Sequence, residues 1–251
     1  MSRKYTLKAD THDMRDQIYR ASIQSPSQLP KSVDLRSQMS PVVDQGQLGS
    51  CTANAIGSGL REFLILQEGK PLERLSRLYL YWHERELEGT INQDSGAMIR
   101  DGLKVLQQRG IAPENDYPYD ITKFATTPSS ESESDALNYR ISSYHRVTDL
   151  NMLKASLAEG LPVVIGMSVY ESFESQQVAN TGKVPVPKRG EQNLGGHAVL
   201  VVGYTDTGKT GTTGNLIVRN SWGEGWGDKG YCYIPYSFIS KGIINDMWTG
   251  K

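Results

Sequence analysis

The run Gln45-Gly46-Gln47-Leu48-Gly49-Ser50-Cys51 divides a polar, proline-punctuated beginning from the first strong periodicity in the chain. Behind it Ile56, Leu60, Phe63, Leu64 and Gln67 recur at helical spacing, all but the last apolar. Gly69 is placed to stop that helix. Ser50 is a good N-cap type, so Cys51 is expected on the first turn, where unpaired backbone N–H groups point outward. Gly57 and Gly59 each weaken the helix by about 1 kcal/mol relative to alanine. Glycines tolerated there imply close packing, as for a helix buried between two layers.

Working outward, the spacing predicts a second helix over 75–87. A third is predicted over 98–108, with Ile99, Leu103 and Leu106 on one face and Gly110 at C′. Ser129-Ser130-Glu131-Ser132-Glu133-Ser134-Asp135 reads as a solvated acidic loop and a boundary. A short helix over 150–157 follows, with Asp149 as N-cap. Then the character changes. Residues 162–169, 197–204, 215–219 and 231–234 are β-branched or aromatic and bounded by glycines, as strands are. Val33-Asp34-Leu35-Arg36 and Pro41-Val42-Val43 read as short extended pieces. A helical first half and a β-rich second half give an α+β protein: a helical lobe over 31–140 and a β lobe over 141–251, facing each other across a cleft. Residues 1–30 are polar and end in Ser25-Pro26-Ser27-Gln28-Leu29-Pro30.

The chemistry rests on three residue types far apart in the chain. A free thiol has a pKa of about 8.5, and a helix N-terminus with a neighbouring imidazolium lowers it by several units. Cys51 at a helix start therefore suits a nucleophile, and Gln45 suits a side-chain donor to a developing oxyanion. His197 follows Gly195-Gly196 and opens the apolar run Ala198-Val199-Leu200-Val201-Val202, where a base can project into a cleft. Asn220 ends 215–219 and can fix the imidazole tautomer, with Trp222 shielding that bond from water. Each residue alone has a plainer reading: a buried hydrophobe, a satisfied histidine, a turn asparagine. His12, His83 and His145 keep the plainer reading, with His83 expected to be solvated on a charged helix.

The combination is more specific. Gln-x5-Cys at a helix start, Gly-His-Ala at a strand start and Asn-Ser-Trp-Gly-x-Gly-Trp-Gly at a strand end resemble the papain-like cysteine peptidases from about Leu29 onward. Asp94-Ser95-Gly96-Ala97 and Tyr117-Pro118-Tyr119 are similar to that family's middle region. The resemblance implies a two-lobed papain-like fold and a peptidase acting on peptide or protein substrates. It implies Cys51 as nucleophile, His197 as base then acid, Asn220 as orienter and Gln45 as oxyanion donor. Ser95 and Gly96 would face the substrate backbone. Val163 and Ala198 would wall the apolar pocket for the side chain two residues before the scissile bond. Leu48 stands where many members carry a disulfide cysteine, Thr52 replaces an aromatic residue and Gly196 an acidic residue or asparagine. An acyl-transferase or isopeptidase with the same triad, or a catalytically dead binding protein on the same fold, is the competing expectation. Residues 1–28 are expected to fold over the cleft as a short covering segment, against an extension with no inhibitory role.

Composition narrows the rest. The 251 residues carry a formal net charge of −1, which gives no global case for nucleic acid or an anionic membrane. Two cysteines make neither a disulfide framework nor a zinc site, and no cofactor or metal is expected. No apolar run is long enough for a membrane span or follows the basic N-terminus as a signal peptide would. The expectation is a monomer, cytoplasmic or exported by another route. Gly203-Tyr-Thr-Asp-Thr-Gly208-Lys209-Thr210 matches a phosphate-binding loop literally, but glycines and a strand follow it instead of a helix, so it reads as a hairpin loop. Cys232, within an alternating strand, reads as a packed thiol.

Overall fold

The computed structural model describes residues 3–22, 26–208 and 210–251. The helix opening at the Cys51 run is continuous in space but changes winding. It begins as α1 (Cys51–Ala53), widens to a π-turn segment over Asn54–Arg61 and closes as α2 (Glu62–Gln67). Every residue of Asn54–Arg61 is buried. The two glycines explain how it fits. A β-carbon on Gly57 would meet Ile111 Cδ1 at 2.8 Å, and one on Gly59 would meet Leu200 Cδ2 at 3.1 Å. The helix is thus pressed between the helical layer and the sheet, as its glycines imply.

Two further helices complete that layer. Ser76 Oγ accepts the Tyr79 amide at 3.0 Å and starts α3 (Arg77–Leu87), while α4 (Ile99–Gln108) ends at Gly110 with φ +86°. Residues 129–135 are not the loop expected. Ser129 Oγ accepts from the Ser132 amide at 3.1 Å and caps α5 (Ser130–Ala136), whose first-turn Glu131 and Glu133 complement the helix dipole. His83 is likewise not solvated. It is buried against Tyr79 and Trp82, with Nδ1 3.0 Å from Glu86 and Nε2 2.9 Å from Glu133, and burial depresses its pKa.

Among the described residues one seven-stranded antiparallel sheet forms, six strands of it from the second half. Its strands are β1 (Ser32–Asp34), β2 (Tyr144–Arg146), β3 (Val163–Tyr170), β4 (Asn193–Asp206), β5 (Gly214–Arg219), β6 (Tyr231–Pro235) and β7 (Ile244–Gly250). The order is β2-β7-β3-β4-β5-β6, with β1 paired to β4 at Val33↔Tyr204. Short helices α6 (Leu150–Ala158), α7 (Gln176–Thr181) and α8 (Ser237–Ser240) decorate it. Asp149 caps α6 by accepting the Met152 amide at 3.0 Å. The four strands read from sequence lie within β3 to β6. Strands β2 and β7 were not legible, because Tyr144-His145-Arg146 and Asn245-Asp246 carry polar residues inside the pairing. The fold is α+β, helices on one side and the sheet on the other.

Candidate active site

The helix start and the strand ends are joined by backbone pairing. The Gln45 amide donates to Ser221 O at 2.9 Å, the Gly223 amide donates to Val43 O at 3.0 Å, and Asp44 bridges Trp222. This short crossing brings Gln45 beside the end of β5. Ser221 Oγ donates to Gln45 Oε1 at 2.6 Å, which turns the Gln45 amide nitrogen toward the helix start, where it donates to Leu48 O at 3.0 Å. Ser221 was missed as an orienting residue, although it stands inside the Asn-Ser-Trp-Gly motif.

His197 and Asn220 meet as expected. His197 Nε2 lies 2.8 Å from Asn220 Oδ1, which also accepts the Ser221 amide at 2.9 Å. An oxygen already accepting leaves Nε2 as the protonated nitrogen. His197 Nδ1 is then the lone-pair atom, buried and without a hydrogen-bond partner. Trp222 stacks on the imidazole with centroids 5.2 Å apart and planes at 25°. The start of the helix, α1 with Cys51, packs against β4, the strand that carries His197 and Ala198. Cys51, His197, Asn220 and Gln45 therefore share one site.

The N-terminal residues occupy that site. The Leu7 amide donates to Gly196 O and the Lys8 amide to Ala97 O, both at 3.1 Å, and the segment runs parallel to both partners. Tyr5 stands edge-on to His197 at 6.1 Å, and Arg3 lies over the Trp222 ring at 4.3 Å. Lys4 pairs with Asp94 at 2.5 Å, Lys8 with Glu88, Arg3 with Asp44 at 3.6 Å, and Tyr5 OH donates to Glu174.

Beneath this cover the protonation states differ from the expectation. Cys51 is fully buried and its thiol is pushed up to about 12, by burial first, opposed by the Ala198 amide and reinforced by Glu84. His197 is also fully buried and its pKa falls to about 4, by burial first, against the Asn220 hydrogen bond. The covered site holds a neutral thiol and a neutral imidazole. Nor does Ser50 cap the helix: its hydroxyl is 2.5 Å from Tyr119 OH and accepts from Asn54 Nδ2 at 3.0 Å. Thr52 donates to Glu84 at 2.6 Å, a carboxyl whose pKa is pushed well up by burial.

The pocket residues are partly rearranged. Gly96 has φ +68°, and a β-carbon there would overlap the Thr6 carbonyl, so glycine is required for the backbone approach. Ser95 Oγ is turned to Thr90 Oγ1 at 2.9 Å and receives Lys8 Nζ at 3.4 Å. Ala198 pairs with Gly166, at the level of His197 and Met167. Val163 does not reach this level. It pairs with Val201, three residues along β3, and is plain core. The β3 residue at the level of Ala198 is Gly166, where a β-carbon would meet Leu7 Cδ2 at 3.0 Å, Asp246 Cβ at 3.2 Å and Ile99 Cδ1 at 3.3 Å. A lone glycine inside an apolar strand was the available signal.

Two further readings agree with the structure. Cys232 is fully buried, burial pushes its thiol up, and both cysteines are free. Gly203 and Gly208 flank the end of β4, and β5 follows at Gly214 with no helix between among the described residues, a hairpin closed by the Thr207 amide on Thr213 O at 2.9 Å. Lys209 lies outside the described residues.

A model of the papain family of cysteine proteases matches residues 29–248. The chain belongs to the papain family of cysteine proteases. It is 39% identical over 230 residues to an uncharacterized peptidase C1-like protein of Acanthamoeba polyphaga mimivirus, covering 88% of this chain and 72% of that one. Cysteine proteinase 1 of Entamoeba histolytica is 31% identical over 226 residues, 87% of this chain and 68% of its own. The crystal structure of xylellain, a cysteine protease from Xylella fastidiosa, superposes with a TM-score of 0.88 at 38% identity, covering 100% of this chain and 98% of that one. Digestive procathepsin L 3 of the Tenebrio molitor larval midgut superposes with a TM-score of 0.71 at 26% identity, covering 94% of this chain and 73% of that one. The papain-like fold and cysteine-peptidase activity implied by the motifs are thus those of the family, a hydrolase family acting on peptide or protein substrates. Among the described residues no helix is long and apolar enough to cross a membrane.

Proposed function

We propose that Cys51 is the nucleophile of this peptidase, His197 its base and acid, Asn220 the orienter of His197 and Gln45 the oxyanion donor, and that residues 3–8 cover the site and lower its activity without abolishing it. The observation that carries the assignment is the 2.8 Å contact between His197 Nε2 and Asn220 Oδ1, which leaves Nδ1 with its lone pair free. Nδ1 takes the thiol proton and the sulfur attacks the peptide carbonyl carbon. The oxyanion accepts from the Gln45 amide and a backbone N–H at the start of α1. The C–N bond breaks as Nδ1–H passes its proton to the leaving amine. Water, losing its proton to Nδ1, attacks the thioester and frees the acid and the thiol.

The cover acts through solvation. Burial alone disfavours both ions, thiolate and imidazolium, so removing residues 3–8 lowers the Cys51 pKa and raises that of His197, toward the reactive ion pair. The test is turnover of a small peptide ester by the full chain and by Cys51→Ala, with alkylation of Cys51 followed by mass spectrometry. Loss of turnover in Cys51→Ala with Cys51 as the alkylated residue is expected. Unimpaired hydrolysis by that variant refutes the assignment. Product analysis with an added amine separates hydrolysis from acyl transfer.

A further inference from the structure

Beyond the cleft, the covering segment is held at a second place. Arg100 and Arg146 converge on Asp16: Arg100 Nη2 donates to Oδ2 at 2.9 Å, and Arg146 Nε donates to the same oxygen at 3.0 Å. Both guanidiniums lie over the Trp248 ring, at 5.8 Å and 4.4 Å. Trp248 Nε1 donates to Asp10 Oδ2 at 2.6 Å, the Arg100 amide donates to Asp10 Oδ1 at 3.2 Å, and Arg146 Nη2 is 3.7 Å from Asp10 Oδ2. The backbone joins in, with the Arg146 amide on Gln17 O and the Tyr19 amide on Arg146 O, both at 2.8 Å.

The groups are mainly complementary. The body supplies two guanidiniums, an indole donor and a strand edge, together with Asp246, which accepts the Asp10 amide at 3.0 Å. The segment supplies the Asp16 carboxylate, the Asp10 carboxyl and a backbone that turns between Asp13 and Asp16 before it pairs with Arg146. Arg146 also donates to Asp246 at 3.3 Å, an acid of the body. For Arg100 the side-chain hydrogen bonds go to Asp16 and to Thr11 O, both of the segment. A guanidinium laid on an aromatic face and bonded outward to carboxylate is a recognition arrangement for an anion-bearing chain.

We propose that Arg100, Arg146 and Trp248 form an acceptor face for an acidic stretch of polypeptide, filled in cis by the Asp16 carboxylate with the Asp10 carboxyl hydrogen-bonded beside it, and open to an acidic stretch of a protein substrate once the segment lifts. Recognition at this face is independent of the peptidase assignment; only its use on substrates rests on it. In cis the tether supplies a high effective concentration, so the segment outcompetes free chains. A substrate anchored there gains affinity through a site remote from the scissile bond.

The experiment is binding of a fluorescent peptide copying residues 9–20 to full-length protein, read by anisotropy. The chain carrying Asp16→Asn in its own segment is expected to bind the peptide at least tenfold more tightly than the wild-type chain, whose face is filled. The same peptide with asparagine in place of Asp16 is expected to bind at least tenfold more weakly. Equal binding by the acidic and the asparagine peptides, or no binding to the Asp16→Asn chain, overturns the proposal. Binding does not use Cys51, so a failed peptidase assignment shows in turnover and leaves the anisotropy result standing. On substrates, an acidic-flanked peptide should lose at least fivefold in kcat/KM in Arg100→Ala relative to its asparagine counterpart, and no change in that ratio removes the substrate role.

Discussion

Leu7 Cδ2 lies 3.0 Å from the place a β-carbon on Gly166 would occupy. The covering segment thus puts an apolar side chain into the space β3 leaves open at Gly166, which pairs with Ala198, the residue after His197. Gly166→Val fills that space. It should expel Leu7 and raise the rate of Cys51 alkylation in the full chain, while lowering kcat/KM at least tenfold for substrates bearing leucine two residues before the scissile bond. Slower alkylation in Gly166→Val would contradict this placement.

Asn220→Ala removes the acceptor that fixes the His197 tautomer. General acid–base catalysis contributes 10²–10⁴ in rate, so kcat should fall by about 100-fold with KM little changed. Steady-state kinetics on a peptide ester check it, and a drop confined to KM would argue for a substrate-binding role instead.

Gln45→Ala should cost about 10²–10³ in kcat, the usual loss for one oxyanion donor. Ser221→Ala, which frees the Gln45 amide to rotate, should cost less than Gln45→Ala. The reverse ranking would mean that Ser221, not Gln45, faces the oxyanion.

Two groups set the pH response of the cover, with opposite signs. His197 is held at about 4, below its usual 6.5, so an uncovered imidazole binds a proton between pH 6.5 and 4 that the covered one does not. Falling pH favours uncovering in that window. Asp10 is raised from 3.8 to about 6, by burial first and Asp246 second, against Trp248 and Arg100. The docked carboxyl binds a proton between pH 6 and 3.8 that the freed one does not, so falling pH favours docking. The wild-type Leu7 amide should therefore show nearly constant protection from exchange between pH 6.5 and 4. In Asp10→Asn the opposing group is gone, and protection should fall by at least about tenfold, the weight of one pKa unit. A variant as flat as the wild type would show that these two groups do not set the response.

Legibility followed the physics of each residue. The helix after Cys51, the capping by Asp149 and the four central strands were readable, because burial writes a periodic apolar pattern and caps use few residue types. The π-turn winding over Asn54–Arg61 was not, since no sequence period distinguishes it from an α-helix. Helix α5 was hidden because its serines and glutamates look like a solvated loop unless Ser129 is seen as a cap. Cys51, His197 and Asn220 were singled out by a motif and not by their chemistry alone, since each has a commoner structural role. Val163 was misplaced because one apolar residue in a strand looks like the next, and only the register with β4 puts Gly166 at the level of Ala198. The ionisation of Cys51 was misjudged because it depends on what lies over the sulfur. Where residues 3–8 run is set by pairings with Gly196 and Ala97, nearly a hundred or more residues away.

The central claim, that Cys51 is the nucleophile beneath a cover made by the chain's own N-terminal residues, is tested most directly by mass spectrometry. The rate and site of modification by a peptidyl thiol electrophile at pH 7 are compared in the full chain and in Leu7→Asp. The account predicts a single modification at Cys51 in both, at least tenfold faster in Leu7→Asp. Modification at Cys232, none at Cys51, or equal rates in the two chains would contradict it.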